Sequence, residues 1–181
     1  MKIREIDENL GLAYLNSGDN AMKDLAEYFS NTFRYSDGKL DFRRDLIGMF
    51  ARAIYAQGKF VGLSSGVKYQ IRGNEVPDVT EEREYVVGEN SVVAVSPRFR
   101  QRGIGRFLFV DCFRQLLYFD PEFLLVKTTN QIMFRTVGDT LYSNNVDFIP
   151  DGTKNRCNFW VDVRQLRNAE KIMEMAERVK L

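Results

Sequence analysis

The residues best suited to chemistry form one unbroken segment, Val95-Ser96-Pro97-Arg98-Phe99-Arg100-Gln101-Arg102-Gly103-Ile104-Gly105-Arg106. An apolar, strand-like run ends at Pro97, an arginine-rich turn follows, and Gly-x-Gly opens a helical pattern. That order makes an anion cradle. The first amides of a helix have no intrahelical acceptor, point beyond the N-terminus, and are reinforced there by the helix dipole. Glycine at 103 and 105 lets the backbone approach a phosphate with no side chain in the way. Arg98, Arg100, Arg102 and Arg106 concentrate positive charge in a chain whose formal net charge is only +1. The spacing is neither that of a dinucleotide fingerprint nor that of a P-loop, because there is no third glycine and no Gly-Lys-Ser/Thr. The plainer alternative is a solvated basic turn followed by a helix cap. Pro97, the two glycines and the strand–turn–helix order together favour the cradle.

What the chain lacks narrows the chemistry further. It contains no histidine, which excludes Ser-His-Asp and Cys-His machinery and a His-ligated zinc site. Its two cysteines, Cys112 and Cys157, make neither a thiolate cage nor a disulfide framework, and both fall on apolar faces as small hydrophobes. No metal is expected. Any catalysis must use carboxylates, Tyr, Ser, Lys, Arg or backbone amides. No apolar run approaches the roughly 20 residues that span a bilayer, and Met1–Asp7 alternates charged and apolar residues without a signal-peptide core. A cytoplasmic location with no membrane partner follows as an expectation. The near-zero net charge argues against nucleic acid as a partner.

The elements that must position the segment are legible from periodicity. With 44% hydrophobic residues in a length of 181, the chain can build one domain with a sizeable core. Residues 2–7 read as an opening strand. Helices are expected over 21–33, from Met22, Leu25, Ala26, Phe29 and Phe33, and over 41–52, from Phe42, Leu46, Met49 and Phe50. Residues 53–56 and 60–63 read as a hairpin turning at Gln57-Gly58-Lys59. An acidic loop spans 72–84, and strand-like runs follow at 85–87 and 91–95. After Gly103 a helix buries Ile104, Leu108, Cys112 and Leu116, with Asp111, Arg114, Gln115 and Tyr118 on the opposite side. A buried strand at 123–126 and a helix at 131–142 come next. Strands at 146–148 and 156–163 then flank a turn at 150–152. Residues 165–181 are a charged amphipathic helix. This order predicts an α/β domain over 1–163 with one parallel strand pair in a mixed sheet. The helical tail over 164–181 packs on that domain or on a partner.

The stretch Val95-x-Pro97-x-Phe99-Arg100-x-x-Gly103-Ile104-Gly105 resembles the acetyl-CoA signature of the GNAT superfamily of N-acetyltransferases. The element order around it is similar to that family's over most of the chain. The resemblance implies a mostly antiparallel mixed sheet flanked by helices, with its central parallel pair splayed at the acetyl-CoA site. It implies that the turn at Arg100, Gln101, Arg102, Gly103, Ile104, Gly105 and Arg106 holds the CoA pyrophosphate. Strand amides near Val93 and Val95 would hold the pantetheine and thioester. Asn130 stands where the family often places a pantetheine contact, and equally where a helix cap would stand. Tyr142 occupies the position of the family's acid, the alternative being an amphipathic helix residue with its ring in the core. Glu89 and Glu84 are candidates for the base by position, the alternative being surface carboxylates. Val146-Asp147-Phe148 departs from the expected Gly-Phe, one residue further from the tyrosine.

The function so implied is direct transfer of an acetyl group from acetyl-CoA to a primary amine, either a small molecule or a peptide. Two alternatives stand beside it: a GNAT-shaped module that binds CoA without turnover, and an acetyltransferase acting on a macromolecule such as protein or charged tRNA. A homodimer is compatible with the chain. Five carboxylates between Glu75 and Glu84, placed by analogy near the acceptor, suggest a cationic acceptor, although a solvated loop accounts for them equally well.

Overall fold

A computed structural model of the chain describes residues 2–6, 50–56, 59–128, 131–153 and 156–179. Seven strands among these form one sheet in the order β1-β2-β3-β4-β5-β7-β6. They are β1 (Lys2–Ile6), β2 (Phe50–Ala56), β3 (Lys59–Arg72), β4 (Glu84–Val95), β5 (Phe123–Thr128), β6 (Ile149–Thr153) and β7 (Arg156–Asp162). Every pairing is antiparallel except β4 with β5. The expected mixed, mostly antiparallel sheet with one central parallel pair is therefore present.

Three helices among the described residues share a core on one face: α1 (Ile104–Leu117), α2 (Gln131–Ser143) and α3 (Leu166–Arg178). The crossover from β4 through α1 to β5 is what a parallel neighbour requires. Phe109, Phe113 and Leu116 of α1, Val137 and Leu141 of α2, and Ile172 and Met175 of α3 meet Leu124, Val126, Phe159 and Val161 of the sheet. On the other face, Tyr85, Val87, Phe123, Leu125 and Trp160 form a second cluster. Val76 and Val79, from the β3–β4 connection, fold over that cluster. Burying such aliphatic and aromatic side chains stabilises the fold by about 1.5–3 kcal/mol each before the entropy of ordering is charged against it.

Several elements differ from the sequence reading. Residues 50–52 open β2 rather than closing a helix; the helices expected at 21–33 and 41–49 and the Gln57-Gly58 turn lie outside the described residues. The runs at 85–87 and 91–95 are one strand of 12 residues. The strand expected at 146–148 sits instead at Ile149–Thr153, so Pro150-Asp151-Gly152 lies within β6 and not in a turn. Proline is tolerated because β6 is the outermost strand and pairs only with β7. Asp111, placed on the solvent side of α1, is 5% exposed because Arg52 of β2 reaches it, Nη1 lying 2.7 and 2.6 Å from its two carboxylate oxygens. Arg114 bonds the same carboxylate at 2.9 Å. This ion cluster ties α1 to the strand two positions from β4. No helix among the described residues is long and apolar enough to cross a membrane.

Candidate functional site: a glycine turn beside a parting strand pair

The parallel pair is short by design of its register. Val87 to Asn90 pair with Phe123 to Val126, and nothing beyond Asn90 pairs with β5. Yet β4 continues along β3 to Val95, and β5 continues along β7 to Thr128. The two strands therefore part. From Ser91 to Ala94 the β5-facing edge of β4 pairs with no described strand.

A β-bulge sits at the start of the opening. Ser65 pairs with Val92 and Gly66 with Asn90, leaving Ser91 as the extra residue. One inserted residue reverses the alternation of side chains along a strand. Tyr85, Val87 and Glu89 consequently line the face away from α1, whereas Val93 and Val95 pack against Ile54, Val61, Ile104 and Leu108 on the α1 side. The bulge lets one strand supply both a helix anchor and a polar residue on the opposite face.

The glycine turn lies at the end of this opening. A short 3-10 turn, Pro97–Phe99, leads from β4. Gln101 and Gly103 then take left-handed backbone, with φ of 60° and 76°. Gly103 caps α1 with no side-chain hydrogen bond to the helix amides, and buried Ile104 pins the first turn to the sheet. A Cβ built on Gly103 meets nothing within 4 Å, and one on Gly105 meets only Val95 Cγ2, at 3.7 Å. Room and unshared amides thus coincide where the expected pyrophosphate would lie, so the residues present fit that group. Arg98, Arg102 and Arg106 are exposed and make no ion pair among the described residues, and Arg102 stands 5.8 Å from the Phe99 ring centroid. Arg100 donates from Nε to the Val95 carbonyl at 3.2 Å, tethering the turn to the strand end.

The remaining candidates divide. Tyr142 is 80% exposed near the end of α2, so its ring is not a core element. Asn130 lies outside the described residues. Glu89 is half-buried and bonded through Oε2 to the Tyr69 hydroxyl at 2.5 Å and to Lys127 Nζ at 2.8 Å. Sequence reasoning named Glu89 but missed both partners. Burial and the adjacent Glu89 carboxylate push the Tyr69 phenol well above the ordinary tyrosine range, so Tyr69 is a donor at neutral pH. Glu84 is exposed at the far end of β4. Cys112 is buried, its thiol pushed up to about 12 chiefly by burial, which makes it a packing residue as expected.

The acidic loop lies away from the glycine turn. It joins the Glu84 end of β4, and 12 strand residues separate that end from the glycine turn by about 36 Å. Two of its carboxylates serve the loop itself: Glu75 accepts from the Arg72 amide, and Glu81 from Tyr85 Oη and Arg83. Among the described residues, no three His, Cys, Asp or Glu side chains gather as a metal site.

No protein-family model matches the chain, and no curated protein matches it in sequence. Solved structures match it in shape. The KacTA–DNA complex aligns with a TM-score of 0.55 at 12% identity, over 96% of this chain and 98% of that one. A point variant of the toxin AtaT aligns with a TM-score of 0.55 at 12% identity, over 95% and 93%. A point variant of the Bacillus halodurans protein BH1408 gives 0.51 at 15% identity, over 84% and 96%. The chain shares its overall fold with these structures.

Proposed function

We propose that the protein is an acyl-CoA-dependent N-acyltransferase that moves an acetyl group to a primary amine. The observation that carries this reading is the coincidence of the β4–β5 opening with the unobstructed, glycine-capped N-terminus of α1. One end suits a thioester arm with strand amides at hand, and the other suits a pyrophosphate. The amine nitrogen attacks the thioester carbonyl carbon, and its proton passes to Glu89. The tetrahedral oxyanion is stabilised by amides near Val93 and Val95. The carbon–sulfur bond then breaks, and Tyr142 protonates the departing thiolate. Holding two reactants in line supplies much of the rate without a covalent enzyme intermediate.

A macromolecular acceptor is the second reading, supported by likeness to KacTA and AtaT over nearly the whole chain. AtaT has also been captured with acetyl-methionyl-tRNAfMet, so charged tRNA belongs among the acceptors tried. The test is transfer from labelled acetyl-CoA to spermidine, a lysine peptide and methionyl-tRNA, followed by mass spectrometry. Acetylation of one of them is expected, with Tyr142→Phe lowering kcat about 100-fold at unchanged acetyl-CoA affinity. Binding of acetyl-CoA with no acetylated product would leave a CoA-binding module instead.

A further inference from the structure

Around Glu89, three neighbouring strands each contribute one polar side chain to the sheet face away from α1. Val67 of β3 and Leu125 of β5 are the register partners of Glu89. Tyr69 and Lys127 stand two residues further along those strands and on the same face, diagonal to Glu89 on either side. Long side chains bridge such diagonals. Tyr69 Oη and Lys127 Nζ both converge on Oε2, at 2.5 and 2.8 Å, and lie 3.3 Å from each other. Lys127 Nζ also stands 5.6 Å from the Tyr69 ring centroid. The second oxygen, Oε1, has no hydrogen bond among the described residues. Lys127 directly follows Val126, the last β5 residue paired with β4, so the cluster sits at the root of the opening.

We propose that Tyr69 and Lys127 are positioning residues that clamp Glu89 by one oxygen and leave the other turned to the acceptor amine. This rests on the reading of Glu89 as the proton acceptor. A free glutamate on a strand samples several rotamers, and two donors on a single oxygen select one of them. The ammonium of Lys127, 2.8 Å from Oε2, fixes that oxygen from the β5 side as the Tyr69 hydroxyl does from the β3 side. When the amine proton reaches Oε1, the negative charge shared with Lys127 is neutralised and Lys127 is left as an unpaired cation. Its 39% exposure lets water take over that role.

The test is a double-mutant cycle on the full chain, with acetyl-CoA and whichever of spermidine, lysine peptide or methionyl-tRNA the wild type acetylates. Glu89→Gln should lower kcat about 100-fold, and Lys127→Met and Tyr69→Phe should each lower it about 10-fold. Calorimetric affinity for acetyl-CoA should stay unchanged in all three. Lys127→Arg should restore most of the loss, and Lys127→Met should cost nothing further in the Glu89→Gln background. Wild-type kcat in both Lys127→Met and Tyr69→Phe, or an equal cost of Lys127→Met in both backgrounds, overturns the clamp while leaving Glu89 in its role. Wild-type kcat in Glu89→Gln overturns the proton-acceptor reading and the clamp with it. Failure to acetylate any amine despite acetyl-CoA binding overturns the acyl-transfer reading itself.

Discussion

At the Glu84 end of β4, charge is closed upon itself. Arg83 bonds Glu122 at 2.6 Å and Glu81 at 3.2 Å, and Arg164 bonds Asp162 at 2.7 Å. Arg83 lies over the Tyr85 ring and Arg164 over that of Phe123. At the Val95 end, Arg98, Arg102 and Arg106 make no ion pair among the described residues, Arg102 meets only the Phe99 ring, and a Cβ on Gly103 at the helix N-terminus would meet nothing within 4 Å. The two ends of the strand thus differ in how their arginines are paired among the described residues. Cations clustered beside a helix N-terminus are the arrangement that an anion site would use, which is why the proposed CoA pyrophosphate is assigned to the Val95 end.

The sharpest way to break this contrast is at Gly103. Gly103→Val puts a branched side chain into the empty space at φ 76° and should weaken acetyl-CoA binding about 100-fold or more by calorimetry. The left-handed backbone adds a stability cost of about 1–2 kcal/mol. Gly103→Asn, which tolerates that backbone better, should recover the stability but not the binding. Arg100→Ala should weaken binding less, because the helix amides remain. Equal affinity in Gly103→Val and wild type would erase the distinction between the two ends.

A smaller effect is expected at the closed end. Arg83→Ala should lower Tm modestly and leave acetyl-CoA affinity unchanged. The hydrogen bond from Arg83, aided by the Val86 amide, holds the Glu122 carboxyl below its ordinary value of 4.5. A carboxylate so depressed contributes stability that is present above 4.5 and lost as pH falls through its folded-state value. The Tm gap between wild type and Arg83→Ala should therefore narrow on acidification below 4.5. A gap that stays constant to low pH would show that Arg83 acts through packing on Tyr85 instead.

The two ends also differ in how far the sequence reveals them. The glycine turn is local: Pro97, Arg100, Gly103 and Gly105 sit within nine residues and carry their geometry with them. α1, β5, α2 and α3 are equally local, read from apolar periodicity and breakers. The extra residue at Ser91 is not, because a bulge exists only relative to the partner strand's register. Its effect on Glu89 and Val93, and the meeting of Tyr69, Glu89 and Lys127 from three strands, follow from that register. Asp111 was misplaced for the same reason: an acidic residue on a helix reads as solvated until a strand arginine arrives to pair with it. An arginine among apolar neighbours, Arg52 between Ala51 and Ala53, was the one available signal.

The most direct measurement is amide chemical-shift mapping of the wild-type chain titrated with acetyl-CoA. The account predicts the largest shifts at Gly103 to Arg106 and along Ser91 to Val95, with residues 73–83 silent. Shifts concentrated in the 73–83 connection, or spread evenly along β4, would contradict the assignment of the anion site to the open end.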